Sequence, residues 1–598
     1  VVTESGIVGM GIDVSYSEIE KLEIDTAEGN DQVYVLSTDS TVETWVYGGL
    51  GSDRFSIAGD VPQLLSGTTE LYPATSGSHE VDGIAGALHI EGMAGKGSAG
   101  GLGTPVMLRG ETSLLPCDGT VLAYSGTGAG GTSDTMTVST AELNAAGYAD
   151  LSTLIGKTIE IGQGPGLGRF WLVTAAVRVD GDDTETLLTL KNASMPAAEW
   201  GLPTTSSRFA VTHLSANFFV DEPQQVDFAT VYNDAATADQ TGALTASSIT
   251  GLDMGPMGIT YGSLETLDLF LGSGQDTFSV TGTMKRADGY RTVTMLSTGA
   301  GSDEVTVSLS ASDDGFFALN TEAGDDTVHA EASSLPLVVF GGLGSDEIHT
   351  GTGDDIVFGD KGRVDYRDAS GRLITRLGLG LAERTVLQPG QAETSDTQVP
   401  FKQTDGIVRG PSLVTTRQAS AGDVDTVYGG QGNDTILGGA AGDTLEAGEG
   451  DNIVLGDHGT VEYQLDGDLT DIDRISSTDY SYGGDDTITT GAGSDLVGGG
   501  AGADGISAGG GSNLVIGDSG KITSAQADTD RFGTLPLTVG LVETVGFGIG
   551  GVDHITTGSG GDIVLGGHAG DIIGAGDGSN IVLGDDGKID FVRAERDA

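Results

Sequence analysis

The sequence has one cysteine, Cys117, so no disulfide framework and no cysteine-based zinc site can form within the chain. A small core residue is the expected role for it, not a nucleophile. No run of 18 apolar residues occurs, which excludes a transmembrane helix and membrane insertion by one. Basic residues are scarce: 27 Lys and Arg stand against 87 Asp and Glu, a formal net charge of −60. That charge argues against nucleic acid or an anionic membrane as a partner. It also means that the compact chain repels itself unless cations bind. The eight histidines (His79, His89, His213, His329, His349, His458, His554 and His568) contain no H-E-x-x-H pair, and His554 and His568 are expected on a solvated surface. The chain opens Val1-Val2-Thr3 with neither initiator Met nor signal peptide, as expected of a mature product or a piece of something longer.

What the chain has is glycine, 101 residues of it, and a period. Between Gly483 and Gly517 an acidic or amide residue recurs every nine positions, at Asp486, Asp495, Asp504 and Asn513. Two places after each stands an apolar residue: Ile488, Val497, Ile506 and Val515. A short fixed period implies a stacked solenoid. Half of each unit is turn chemistry, because Gly takes positive φ freely and Asp bonds nearby backbone. The other half is a very short strand whose single apolar residue points inward. Two units make one coil, and stacking coils lines up carboxylates and turn carbonyls in columns along both edges. Carboxylate and carbonyl oxygens are what Ca²⁺ selects. A flexible linker would not hold Asp and an aliphatic residue in one frame. The pattern resembles the RTX (hemolysin-type) repeat G-G-x-G-x-D-x-U-x, where U is a large aliphatic residue. That resemblance implies a parallel β-roll with Ca²⁺ between successive turns.

The expected fold is therefore all-β: a parallel β-roll or β-solenoid of glycine-rich calcium-binding repeats, with an inserted β-rich domain. Residues 1–60 carry roll-type turns at Asp31 and Asp53, and the run from Leu22 to Val46 alternates well enough to be strand. Residues 61–225 lose the period and read as the insertion. It holds Trp171 and Trp200, a predicted helix over Ser139–Ile155, strands near Thr158–Ile161, Phe170–Val177 and Thr186–Leu190, and turns at Thr132–Thr135 and Gly181–Asp183. Residues 226–362 return to the roll in widened coils, with turns at Asp276, Asp303, Asp326, Asp346 and Asp355. Residues 15–35 match 261–280 at an offset of 245, with Tyr16 on Tyr261, Glu20 on Glu265 and Asp31 on Asp276. This resembles long bacterial surface proteins that carry such modules in tandem. Residues 363–419 form an excursion. Residues 420–598 hold three four-turn blocks: Asp425, Asp434, Asp443 and Asn452; the stretch above; and Asp553, Asp562, Asp571 and Asn580. The inward position is apolar in all 19 of these turns. Each block closes on a G-D-x-G turn, and the excursions that follow (363–419, 460–480 and 521–547) are expected to fold back over the roll.

The candidate metal ligands are Asp31, Asp53, Asp276, Asp303, Asp326, Asp346, Asp355, Asp425, Asp434, Asp443, Asp486, Asp495, Asp504, Asp553, Asp562 and Asp571, together with neighbouring glycine carbonyls. Asp360, Asp457, Asp518 and Asp585 are weaker candidates, and Asp354, Asp451 and Asp485 are candidate second ligands. The Asn that ends each block drops one charge, as a local cap or a weaker ligand set. Other motifs fail. Gly517-Asp518-Ser519-Gly520 is similar to a serine-protease signature, but its counterparts are GDKG, GDHG and GDDG, so the Ser is a turn residue. Gly126–Gly131 satisfies G-x-G-x-x-G only as chance allows among so many glycines, and Ala94–Ser98 lacks the first Gly and the hydroxyl of a P-loop. No nucleophile, base and orienter assemble, so the chain is expected not to be an enzyme.

These readings point to a calcium-stabilised structural segment of an extracellular or cell-surface protein (an adhesin, surface-layer or filament subunit) that folds on binding Ca²⁺ after secretion. Self-association or neighbouring modules of the same protein are the expected partners, with a cell-surface or carbohydrate ligand as a further one. Two alternatives stand: a secretion and folding appendage of an RTX-type enzyme, and a carbohydrate- or ice-binding module in residues 61–225.

Overall fold

The computed structural model describes residues 1–9, 12–26, 29–62, 64–66, 70–72, 74–93, 117–127, 133–166, 169–179, 184–192, 202–212, 225–285, 292–387, 391–525, 534 and 537–592. Trp200, His213, Ala94–Ser98, Gly128–Gly131 and the Gly181–Asp183 turn lie outside them. The chain winds as a roll between two parallel sheets. From Leu337–Gly342 in one sheet it turns into Glu347–His349 in the other, then back into Ile356–Asp360 in the first. Register is in phase from coil to coil: Ile348 lies beside Val427, Val427 beside Leu445, and Leu445 beside Ile488. The sheets reach seventeen and sixteen strands among the described residues.

The inward residues form one continuous core. Val357, Val427, Ile436, Leu445, Val454, Ile488, Val497 and Val515 are fully buried, as short strands with one inward side chain require. Only at the last coil does the inward position lose its cover, at Val582.

The outer faces differ, and the strands record it. In one sheet the neighbours of the inward residue are also apolar and buried, as in Ile453-Val454-Leu455, Leu514-Val515-Ile516 and Ile563-Val564-Leu565. In the other they are polar, as in Thr487-Ile488-Thr489 and His554-Ile555-Thr556. Strands apolar on both sides are buried on both sides. The cover comes from the excursions, which fold back as an eight-stranded antiparallel sheet that includes Gly362–Arg367, Leu413–Thr416, Gly459–Glu462 and Val539–Thr544. Phe340, Phe358, Leu437 and Leu455 pack there against Val364, Val414 and Val461. The first sheet is the covered sheet; the second is the open sheet. Within the first excursion Arg376 is fully buried and held bidentate by Asp365, Nε to Oδ1 and Nη2 to Oδ2 both at 2.7 Å, with Glu393 as a further acceptor.

Between Gly119 and Thr212 six antiparallel strands close into a barrel. Trp171 fills its core and donates from Nε1 to Asp134 Oδ2 at 3.1 Å, where Tyr124 Oη also donates at 2.7 Å. The three strands expected there appear as Thr158–Gln163, Phe170–Arg178 and Glu185–Asn192. Three local expectations are corrected. The helix covers only Thr140–Ala145, capped by Ser139, because Gly147 takes φ +94°; a short 3₁₀ turn follows at Leu151–Leu154. The predicted turn over Thr132–Thr135 gives way to the strand Ser133–Ser139, which pairs on both sides with barrel neighbours. The run from Leu22 to Val46 is not one strand: turns divide it into Lys21–Asp25, Gln32–Val35 and the start of Glu43–Gly49.

The segments that match at an offset of 245 share a strand–turn–strand form but occupy opposite sheets. Lys21–Asp25 lies in the open sheet and Thr266–Phe270 in the covered one. Their tyrosines do the same work: Tyr16 Oη donates to Thr3 O and Tyr261 Oη to Thr245 O.

Candidate metal centre: two carboxylate ladders

The residue just before each short strand ends a glycine turn, and its side chain reaches along the stack. A turn aspartate is expected to bond its own backbone. Here it bonds the preceding coil instead, its Oδ1 accepting the backbone N–H of the equivalent residue there. On the edge that leads into the open sheet the ladder begins where Gln240 N–H donates to Asp276 Oδ1 at 2.8 Å. Asp276 donates to Asp303, Asp303 to Asp326 and Asp326 to Asp346, at 2.7, 2.7 and 2.9 Å. Asp346 donates to Asp425, Asp425 to Asp443 and Asp443 to Asp486, at 2.8, 2.8 and 2.7 Å. Asp486 to Asp504, Asp504 to Asp553 and Asp553 to Asp571 complete it at 2.8, 2.8 and 3.1 Å. Every rung is an aspartate.

The other edge, leading into the covered sheet, is mixed. Asp31 N–H donates to Asp53 Oδ1, Asp53 to Asp227 and Asp227 to Glu265 Oε2. Farther on, Leu337 donates to Asp355, Asp355 to Asp434 and Asp434 to Asn452, and from there Asp and Asn alternate through Asp495, Asn513, Asp562 and Asn580.

From Asn452 onward the second carboxylate oxygen distinguishes the edges. On the all-aspartate ladder Oδ2 of every rung from Asp276 to Asp571 is buried and lacks a well-aligned donor among the described residues, with only the Thr298 and Thr321 side chains beside Asp303 and Asp326. Asp355 and Asp434 share this condition on the mixed edge. A buried carboxylate oxygen without a partner is costly, and here the cost repeats at each coil. These oxygens face cradles shared with glycine carbonyls. A Cβ built on Gly438 would lie 2.4 Å from Asp443 Oδ2 and 2.1 Å from Gly456 O. One on Gly499 would lie 2.4 Å from Asp504 Oδ2 and 1.9 Å from Gly517 O. Paired carboxylate and carbonyl oxygens around a small gap fit Ca²⁺, which takes six to eight oxygen ligands. Among the described residues no three carboxylate, imidazole or thiol side chains converge on one point, so carbonyls must complete each shell.

Electrostatics agree. Without a cation, burial first and neighbouring carboxylates second push these groups far above the ordinary carboxylate range: Asp326 to about 7, Asp425 to about 8, Asp346, Asp443 and Asp504 to about 9, and Asp486 to about 10. The shift is milder at Asp276, the first rung, and at Asp553, the last but one, both at about 6.

The G-D-x-G aspartates stitch the excursions shut. Asp457 Oδ1 accepts from Gly484 N–H, where the chain rejoins the roll, and its Oδ2 from Ala501 N–H in the next coil. Asp518 does the same with Gly551 and His568, and Asp360 Oδ2 accepts from Ala440 N–H. All three lie close enough to the all-aspartate ladder to raise its carboxyls, Asp457 beside Asp486 and Asp504, and Asp360 beside Asp425 and Asp443. Asp585 is exposed on the last turn. Asp354, Asp451 and Asp485 each accept a backbone N–H from an adjacent coil, at 2.8, 2.6 and 2.8 Å. Cys117 is half-buried, and burial pushes its thiol up to about 11. His554 and His568 are exposed.

A cation from the chain itself serves the early coils of the mixed edge. Lys402, in the first excursion, donates from Nζ to Ser52 Oγ at 2.7 Å. Burial lowers its amine to about 8, against the opposing pull of Asp227, Glu265 and Asp53. Nearby Arg384 donates to the buried Asp268 at 2.8 Å.

A parallel roll whose turns present stacked carboxylate and carbonyl oxygens is a calcium-binding β-roll. Residues 338–363, 421–459 and 480–515 match the RTX calcium-binding nonapeptide repeat, in four copies. The roll therefore binds calcium at several sites, and such repeats are typical of secreted proteins. No curated protein matches the chain significantly. No helix among the described residues is long and apolar enough to cross a membrane.

Proposed function

We propose that the chain is a calcium-stiffened structural segment of an extracellular surface protein, an adhesin, surface-layer or filament subunit, and that it is not an enzyme. The observation that supports this reading is the run of ten stacked aspartates with buried, unpartnered second oxygens. Short strands with one inward residue bury little apolar area, and ordering glycine is entropically costly. Ions held only by the folded state offset both. With extracellular-type Kd values of roughly 10⁻⁴–10⁻³ M, the roll stays unfolded at cytosolic calcium and folds after export. Further copies of the chain or neighbouring modules are its partners. Electron microscopy of the purified chain tests this: filaments or sheets in millimolar calcium that disperse in chelator are expected. Monodisperse particles with hydrolytic activity would overturn it.

A further inference from the structure

On the mixed edge the rungs Asn452, Asn513 and Asn580 carry an amide where the other edge carries a carboxylate. Asn452 Oδ1 accepts Asp434 N–H at 2.9 Å, as an aspartate would, and its Nδ2 turns onto the turn carbonyls of Gly448 at 3.3 Å and Gly450 at 3.1 Å. Asn513 and Asn580 repeat this, Nδ2 donating to Gly509 O at 3.1 Å and Gly576 O at 3.0 Å. The amide orientation is determined at both ends, because a flip would set Nδ2 against a backbone N–H and Oδ1 against a carbonyl. The Asp rungs between them are satisfied too. Asp495 Oδ2 accepts the Thr490 hydroxyl at 2.7 Å, and Asp562 Oδ2 that of Thr557 at 2.8 Å. Each threonine oxygen in turn accepts a turn N–H, from Gly509 at 3.3 Å and from Gly576 at 3.2 Å. Carbonyls, carboxylate oxygens and amide protons thus close into a network without an ion.

We infer that from Asn452 onward calcium loads only the all-aspartate edge, and that Asn and Thr side chains stand in for it on the other. This rests on the calcium reading of the roll. A site in the Asn turns would have to break the amide-to-carbonyl bonds, and it would meet an amide nitrogen, which is no ligand for a hard cation, where the opposite edge offers a carboxylate oxygen. Asp495 and Asp562 are therefore ladder rungs and not calcium ligands. The roll carries one row of ions and one row of neutral hydrogen bonds.

The test is the number of ions retained by the full chain in equilibrium dialysis at saturating calcium, with folding checked by circular dichroism. D495N and D562N are expected to leave the count unchanged, whereas D486N and D504N each lower it by at least one ion. Equal losses from both pairs would overturn the inference while leaving the calcium reading intact. A chain that retains no calcium in any form would overturn both. Anomalous scattering from crystals of the unsubstituted, calcium-loaded chain gives a readout independent of the variants. Ions along one edge beyond Asn452 support the inference, and ions along both edges overturn it.

Discussion

Asp486→Asn separates a ligand from a turn former, because the two roles predict opposite responses to calcium. Asp486 Oδ1 accepts Asp443 N–H at 2.7 Å, and its own N–H donates to Asp504 at 2.8 Å. An asparagine keeps both bonds, so the ladder stays whole. What changes is Oδ2, which becomes an amide nitrogen facing the carbonyl cradle. In about 10 mM calcium, a site with Kd of roughly 10⁻⁴–10⁻³ M stabilises the fold by about 1.4–2.7 kcal/mol, and the variant should lose that much. In chelator the sign reverses. The buried Asp486 carboxyl, pushed up to about 10 by burial and by Asp457 and Asp504, enters the calcium-free fold protonated. Taking up that proton at neutral pH costs roughly 4 kcal/mol at most, and the neutral amide avoids it. Urea unfolding followed by circular dichroism, in calcium and in EDTA, reads both. The variant should be less stable than the parent in calcium and at least as stable in EDTA. A loss of equal size in both conditions would make Asp486 a turn residue and not a ligand.

Two further outcomes follow from the same geometry. Gly499→Ala places a methyl 1.9 Å from Gly517 O and into the Asp504 cradle. It should cost about 1–3 kcal/mol or more and lower the calcium count, and an unchanged unfolding midpoint would contradict the close approach. The calcium-free roll should gain structure on acidification. Ladder carboxyls whose folded pKa values are raised to between about 6 and 10 contribute stability below the unfolded carboxylate pKa and lose it as pH rises through those values. A circular dichroism titration in EDTA checks this, and apo stability that rises with pH would contradict it.

Much of this was legible in the sequence, because a nine-residue frame ties turn chemistry and inward packing to fixed positions. Val497, Ile506 and Val515 are buried as the frame requires. The difference between the edges was also written there, in Ile-Val-Leu after the Asn turns against Thr-Ile-Thr or His-Ile-Thr after Asp turns of the other edge, but it acquires meaning only once alternate repeats fall in opposite sheets. Other features could not be read locally. The extent of the helix turned on Gly147, and the strand at Ser133–Ser139 on barrel partners about 50 residues away. Lys402 meets Ser52 across 350 residues, a contact that stacking creates and no periodicity announces. The Asn rungs looked like a dropped charge; that their Nδ2 groups donate to turn carbonyls emerges only from the coil geometry.

The stacked aspartates require a divalent ion to hold the roll together. Far-ultraviolet circular dichroism of the purified chain at neutral pH, with calcium removed by chelator and then restored, tests this most directly. The strand signal should collapse without calcium and return with calcium but not with equal magnesium, which demands near-ideal octahedral geometry and dehydrates reluctantly. A spectrum that chelation leaves unchanged would mean that no ion holds the ladders together.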